Sequence, residues 1–387
     1  MLNVGIVGIG NCGNQVAALA NETLGVPVFV MNSSAKDLET IPSHIPSVVI
    51  GDKNNAQGAG KDRELAKKLL TINIQSILMG DEFHAFMDPL DVVFIVSSTG
   101  GGTGSGTAPL VTNIIETVFP KKIPIIIGVF PLEKEGLSAH VNTVEYLDEI
   151  KNNIRKIPYM LYDNNKMAGE RSTKVLTTIN QEIVSDIDVI RCTYNYTTRF
   201  NSIDDRDMTR IITFPGRLFV ARVENFKEKD TDSISIEDMI IHTVKTNKHV
   251  ELQRDKKVLS TGIITNLSEK LNAEFDDNIP KVLEFTGEPK HTFIHTYVNS
   301  ERSQPNNVYL ILSGLSRPED RYNKIKDRIE EILAEQEAAL QDDDVLDGLD
   351  ITSLHNLVSD GEKKAESNVG ETDIMKIFNK FGINEKL

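Results

Sequence analysis

Two glycine-rich stretches of this 387-residue chain have the composition of phosphate cradles. Gly8-Ile9-Gly10-Asn11-Cys12-Gly13 follows an apolar run and precedes an apparent helix over Asn14–Asn21, so it spells G-x-G-x-x-G between strand and helix. Small residues there let backbone approach a phosphate closely, and N–H groups at a helix start attract anions. A dinucleotide-binding dehydrogenase would also place an acid at the end of the second strand, to hold a ribose hydroxyl. That strand ends Val30-Met31-Asn32-Ser33, with no carboxylate before Asp37, which weakens the dehydrogenase reading.

The second stretch is more specific. Ser97-Ser98-Thr99-Gly100-Gly101-Gly102-Thr103-Gly104-Ser105-Gly106 lies between the apolar run Val92–Val96 and a helix expected to begin near Ala108-Pro109. Closely spaced glycines among hydroxyl residues can form a nest of N–H donors around a phosphate chain. A flexible linker is a poor alternative, because the loop is clamped between a buried strand and a helix start. No Walker A sequence occurs, since Gly60-Lys61 is followed by Asp62 rather than Ser or Thr. Charge neutralisation is therefore expected from a metal, helix dipoles and N–H groups.

A third feature is acidic. In Asn201-Ser202-Ile203-Asp204-Asp205-Arg206-Asp207, the carboxylates of Asp204 and Asp207 stand at i, i+3 and would share one face of a helical turn. Such a pair could orient water for phosphoryl transfer, a reaction that needs positioning and charge stabilisation more than covalent chemistry. The plainer alternative is that acids favour a helix N-terminus.

The elements that must position these residues follow an α/β rhythm. Clear strands are expected at Val4–Val7, Val26–Met31, Val92–Ser97 and Ile123–Phe130, all but the first nearly continuous apolar runs suited to a parallel sheet covered on both faces. Gly-rich or polar segments follow them, where open α/β sheets carry ligand loops. A long helix is expected over Met167–Ile187, then a mixed region with strands at Arg217–Val223, Lys257–Thr265, His291–Val298 and Val308–Ser313. The expected class is α/β: a parallel-sheet nucleotide-binding domain at 1–163, a central helix at 164–192, and a smaller α+β domain at 193–316. A C-terminal helix is expected at 317–341 (apolar and charged residues of Pro318–Leu340), and an acidic, mobile tail at 342–387 that could end in an amphipathic helix over Ile374–Phe381.

Composition narrows the rest. Forty per cent hydrophobic and 26% charged residues suit a globular protein, and a net charge of −15 repels phosphate backbones, so direct nucleic-acid binding is not expected. Two cysteines, Cys12 and Cys192, offer no disulfide framework or Cys-rich zinc site. No apolar run has membrane-spanning length and the start lacks signal-peptide features, so a cytoplasmic location is expected.

At the level of whole motifs the chain resembles the tubulin/FtsZ superfamily of GTPases. Gly10-Asn11-Cys12-Gly13-Asn14-Gln15 is similar to the tubulin first-loop motif GQCGNQ, and Gly100–Gly106 reads GGGTGSG, the family signature in full. Gln57-Gly58-Ala59-Gly60 resembles the third loop, which senses the terminal phosphate. Pro131-Leu132-Glu133-Lys134-Glu135-Gly136 resembles P-F-x-F-E-G, which implies that Glu135 approaches the ribose. Tyr162-Asp163-Asn164-Asn165-Lys166-Met167 resembles P-N-D-K-L, which implies Asn164 on the guanine edge, with Asp163 or Asn165 as the register alternatives. Asn32 matches a base- or ribose-side contact of the second loop, or else is an exposed turn residue.

The resemblance implies GTP or GDP with Mg2+ held by Gly10, Asn11, Cys12, Asn14, Asn32, Gly58, Ala59, Gly60, Gly100, Gly101, Gly102, Thr103, Gly104, Ser105, Gly106, Glu135 and Asn164. It also implies Asp204 and Asp207 as catalytic groups that act on the next subunit's nucleotide in a head-to-tail homopolymer. The family pattern there is N-x-D-x-x-D, from which Asn201 is displaced by one residue. Ser33-Ser34 and the divergent fifth loop look more like the plasmid and bacteriophage tubulins (TubZ and PhuZ type) than a cell-division FtsZ. The implied role is a dynamic filament that positions plasmid or phage DNA in the cytoplasm of a bacterial cell, or of the host if phage-encoded, with the tail as contact for an adaptor protein. The alternatives are a division-ring FtsZ and a nucleotide-binding regulator that does not polymerise.

Overall fold

The protein is described here by a computed structural model, whose described residues are 2–154, 156–191, 205–252, 258–287, 289–299, 305–342 and 380. Asn201, Asp204, Cys192 and the tail expected to reach an adaptor (Lys380 aside) lie outside them.

The first part of the chain alternates strand and helix: β1 Val4–Ile9, α1 Gly10–Leu24, β2 Val28–Asn32, α2 Ala35–Leu38, β3 Ser47–Val49, α3 Arg63–Leu78, α4 Asp81–Met87, β4 Val92–Ser98 and α5 Thr103–Val118. It continues through β5 Ile123–Phe130, α6 Leu137–Asn153, β6 Pro158–Asp163, the central helix α7 Ser172–Arg191 and α8 Asp205–Ile212. Then follow β7 Gly216–Phe226, α9 Ile236–Thr246, β8 Ser260–Ser268, α10 Glu269–Asp276, α11 Ile279–Thr286, β9 His291–Asn299, β10 Asn306–Leu315 and α12 Glu319–Asp342.

The ten strands among the described residues join one sheet in the order β3-β2-β1-β4-β5-β6-β7-β10-β8-β9. From β3 to β7 every pairing is parallel; β10 runs antiparallel to β7 and β8, and β8 pairs parallel with β9. This is the α/β class. The two halves of the sheet meet over a narrow seam, Pro158 with Gly216 and Tyr159 with Arg217.

Strand alternation explains why β4 reads as an unbroken apolar run. Val93 and Ile95 enter the core under α3–α6, while Val92, Phe94 and Val96 enter the core under α1 and α7. Helix α7 buries Val175, Ile179, Ile183, Val184, Ile187 and Ile190 against a core shared with Leu218 and Val220 of β7 and Ile311 of β10. A buried polar cluster reinforces that junction. Asp186 of α7 accepts hydrogen bonds from Tyr162 of β6 at 2.8 Å and from Arg222 of β7 at 2.7 Å, and lies 2.8 Å from His249.

Helix α12 returns to pack against α6 and the core of the first part of the chain. Tyr322, Ile325, Ile329 and Ile332 are buried at helical spacing, the first three within the core under α6. At about 1.5–3 kcal/mol per buried side chain, this stripe is what fixes the helix. Arg317 donates to Asp148 of α6 at 2.8 Å, and its guanidinium sits 3.6 Å above the Tyr322 ring.

Three helix starts differ from the sequence expectation by four residues or more. Helix α1 begins at Gly10 and α5 at Thr103, not Asn14 and Ala108, so both glycine motifs form the first helical turns themselves. Glycine and hydroxyl residues are poor helix formers in isolation, but packing overrides that preference. The central helix starts five residues later than expected, because Asn164–Met167 is a separate 3-10 turn capped by Asp163.

Candidate nucleotide-binding site

A cavity of about 170 Å3 opens at the carboxyl ends of β1, β4, β5 and β6, the position an open α/β sheet gives its ligand. It is lined by Cys12 of α1, Ser98 at the end of β4, Gly100 and Gly101 after it, Pro131 and Glu135 after β5, Asn164 after β6, and Leu176, Ile179 and Asn180 of α7. Lys61, from the loop before α3, completes the rim.

The glycine motifs are fitted to one another as well as to a ligand. A Cβ at Gly13 would stand 1.9 Å from the Val96 carbonyl oxygen, so any larger residue forces α1 away from β4. One at Gly106 would meet the Arg63 carbonyl oxygen at 2.7 Å and separate α5 from α3. With Thr103–Gly106 in the first turns of α5 and Gly10 opening α1, two helix N-termini converge on the cavity, an arrangement that favours an anion.

The loops are laced together. Ser33 and Thr103 hydroxyls lie 2.6 Å apart, Gly58 N–H donates to the Ser33 carbonyl at 3.1 Å, and Asp62 N–H donates to the Ala59 carbonyl at 2.8 Å. Asn142 of α6 donates to the carbonyls of Lys61, Gly100 and Gly101 at 2.9, 3.2 and 3.2 Å. One amide thus ties the third loop to the glycine-rich fourth.

The sequence-derived residues separate by position. Cys12, Gly100, Gly101, Glu135 and Asn164 line the cavity; Gly102, Thr103, Gly104, Ser105 and Gly106 run on into α5, and Asn11 is exposed on the first turn of α1. Gly58, Ala59 and Gly60 form the loop leading to Lys61. Two residues are turned elsewhere. Asn14 is buried, with its amide nitrogen facing the carbonyls of Gly8, Gly10 and Met31 at 2.8, 3.2 and 3.2 Å, so it pins the first loop to β1 and β2. Asn32 donates to Asp37 at 3.2 Å and accepts from Ser34 N–H at 3.3 Å, a turn role with no side-chain share in the cavity.

Hydrogen bonding separates the three alternatives Asp163, Asn164 and Asn165 by their partners. Asp163 is engaged by Arg321 at 2.7 Å, and Asn165 bonds Glu133 N–H at 2.8 Å and the Pro131 carbonyl at 3.0 Å. Asn164 is 7% exposed, and its Oδ1 is buried without a hydrogen-bond partner among the described residues. A buried, unpaired amide oxygen costs about 1–3 kcal/mol, and a ligand donor arriving in the cavity would remove that cost. Asn180 of α7, a second amide on the wall, was not singled out from the sequence. Its signal was there in the helical spacing from Leu176 to Asn180, but only the fold turns that face towards the cavity.

Cys12 is a free thiol whose burial, helped by the nearby Glu135 carboxylate, pushes its pKa up to about 12. It is therefore a neutral wall group and not a nucleophile.

Asp207 lies at the other end of the sheet. It stands in the first turn of α8, with Arg210 at 3.6 Å and His295 at 3.8 Å. Three residues after α8 the chain enters β7, whose Gly216 pairs with Pro158, the first residue of β6; Asn164 follows the last. His295 belongs to β9, the edge strand four places beyond β6, about 20 Å away at the usual strand spacing, and Asp207 is not among the residues lining the cavity.

The fold is an open α/β sheet with two glycine-rich loops at the rim of a cavity at its carboxyl end. Residues 3–170 match the Tubulin/FtsZ family, GTPase domain. Over those residues the chain is similar to the GTPase domain of that family. It is 26% identical over 188 residues to the tubulin-like protein CetZ of Pyrococcus abyssi, covering 47% of this chain and 50% of CetZ. It is 24% identical over 274 residues to the tubulin-like protein TubZ of Clostridium botulinum C phage, covering 69% and 63%. The chain thus spans about half to two thirds of the length of these relatives. Its fold is that of Bacillus thuringiensis serovar israelensis TubZ in a GTPγS-form protofilament, with TM-score 0.70, 18% identity, and coverage of 88% of this chain and 94% of the other. No described helix is long and apolar enough to cross a membrane.

Proposed function

We propose that this protein hydrolyses GTP in head-to-tail filaments of its own copies, each active site being completed by the neighbouring subunit. The observation that carries this reading is the position of Asp207 beside the edge strand β9, four strands away from β6 and outside the cavity lining. A carboxylate in that position can serve only a nucleotide on another subunit. Stacking copies head to tail would set the α8 end of one against the cavity of the next. The protofilament likeness supports the same geometry.

In this reading GTP or GDP occupies the cavity, with phosphates on the first turns of α1 and α5 and the base against Asn164 and Asn180. Mg2+ would enter with the phosphates, held chiefly by their oxygens and by water, as is usual for this ion. Among the described residues no group of three His, Cys, Asp or Glu is arranged to hold a metal alone. Asp207, with Asp204, would orient the attacking water. The filaments would serve plasmid or phage DNA positioning in the cytoplasm, through an adaptor on the C-terminal tail, as the divergent second and fifth loops and the TubZ likeness suggest.

The test is GTP turnover across a range of protein concentrations, with sedimentation in parallel. Specific activity that switches on above a threshold, together with pelletable polymer, is expected. Turnover strictly proportional to protein, with nothing pelleting, would refute an active site shared between subunits.

A further inference from the structure

We infer that Lys61 is the cation that binds the terminal phosphate of the nucleotide, and that Glu135 is the counter-ion it leaves to do so. The inference rests on the guanine-nucleotide reading of the cavity. Three independent features of Lys61 converge on it.

The first is backbone conformation. Lys61 has φ 67, one of two non-glycine residues with positive φ among the described residues. The left-handed region costs a side-chain-bearing residue about 1–2 kcal/mol, and such outliers gather where function requires them. Glycines stand at neighbouring positions of this loop, Gly58 with φ 92 and Gly60 with φ 56, yet position 61 carries a long cationic side chain. The conformation is held from outside. The Lys61 carbonyl accepts the Asn142 amide at 2.9 Å, and Lys61 backbone packs where a Cβ on Gly102 would come within 2.9 Å.

The second is charge. Among the residues lining the cavity Lys61 is the only cation and Glu135 the only anion. Arg63, two residues on, is buried and committed to Glu145 at 3.0 Å and Glu149 at 2.6 Å, so it is spent on fastening α3 to α6. A triphosphate held by N–H groups alone would lack a side-chain cation, and Lys61 supplies one without a Walker motif.

The third is placement. Lys61 Nζ is 3.5 Å from Glu135 Oε2, and the two side chains are 46% and 36% exposed, so the pair lies at the open rim. An exposed ion pair of this kind holds weakly, on the order of 1 kcal/mol or less, and yields to a more highly charged partner. Lys61 also stands on the ridge of a larger, mostly apolar cavity of about 350 Å3 between α6 and α12, which leaves its side chain room to swing. A polyphosphate reaching the glycine-rich loop would draw Lys61 inward and free Glu135.

The experiment compares GTPγS and GDP affinities of the full chain, by competition with a fluorescent guanine nucleotide, in wild type, Lys61→Gly, Lys61→Ala and Lys61→Arg. A charge-assisted contact predicts that Lys61→Gly and Lys61→Ala lose about tenfold or more in GTPγS affinity and under about threefold for GDP. Lys61→Arg should keep most of the preference. Lys61→Gly should also melt no lower than wild type, since glycine is at ease at this φ. Equal loss for both nucleotides, or no loss, overturns the inference. A lowered melting temperature in Lys61→Gly with nucleotide preference intact does so too. A wild-type protein that binds no guanine nucleotide would instead overturn the underlying reading of the cavity.

Discussion

Arg321 of α12 donates through Nε to Asp163 at 2.7 Å, and Asp163 immediately precedes the cavity-lining Asn164. The C-terminal helix therefore holds the base-side loop from behind, although 158 residues separate the two partners. Asp163 in turn accepts the Asn165 N–H at 3.0 Å and shapes the 3-10 turn. Helix α12 and the cavity-lining loop are joined through this ion pair.

Arg321→Ala should accordingly weaken both stability and nucleotide binding. The pair is 12% and 7% exposed, so losing the cation leaves a buried carboxylate uncompensated, at a cost of about 2–3 kcal/mol. Chemical denaturation reads the first effect and guanine-nucleotide affinity the second. A stability loss with unchanged affinity would show that α12 does not position the loop.

Asn164 and its neighbour should behave oppositely. Asn164→Ala removes an unsatisfied buried oxygen, so the free protein should melt at or above the wild-type temperature while GTP affinity falls by about tenfold or more. Asn165→Ala removes bonds to Glu133 and Pro131 and should lower the melting temperature. The reverse pattern would move base recognition one residue along.

Gly13→Ala should destabilise by more than about 2 kcal/mol, because its Cβ meets a strand carbonyl instead of a yielding side chain. Urea unfolding measures it. An unchanged midpoint would mean that α1 can shift off β4 at little cost.

Cys12 gives a pH signature. Its folded pKa of about 12 lies above the ordinary thiol value of 9.0, so the folded state retains the proton that the unfolded chain releases first. The resulting stability is complete below pH 9 and is lost as pH rises towards 12. A Cys12→Ser variant should show a flatter decline across that window in denaturation curves. Identical slopes would indicate a thiol in contact with water.

Asp207→Ala should bind GTP normally and lose turnover by about a hundredfold or more, since it leaves the cavity untouched. Mixing it with Asn164→Ala should restore part of the activity, because the mixture forms contacts with one intact half from each chain. Turnover no greater than the sum of the two variants alone would argue against a shared site.

Much of this was legible in the sequence because strand, glycine loop and helix are local in the chain. The apolar runs of β4 and β5 and the G-x-G-x-x-G and GGGTGSG stretches lie within a few residues of the elements that present them, so residue type and spacing carry the information. The amphipathic stripe of α7 was readable for the same reason. What tertiary structure alone decided depends on distant partners. Asn164 is distinguished from Asn165 only because Glu133 and Pro131 engage the latter, and Asn14 is held by the Met31 carbonyl of the neighbouring strand as well as by Gly8 and Gly10. Lys61 reads as ordinary loop charge until Asn142, 81 residues away, fixes its backbone beside the cavity. The separation of Asp207 from that cavity follows from the order of the strands between β6 and β9, which no local pattern encodes.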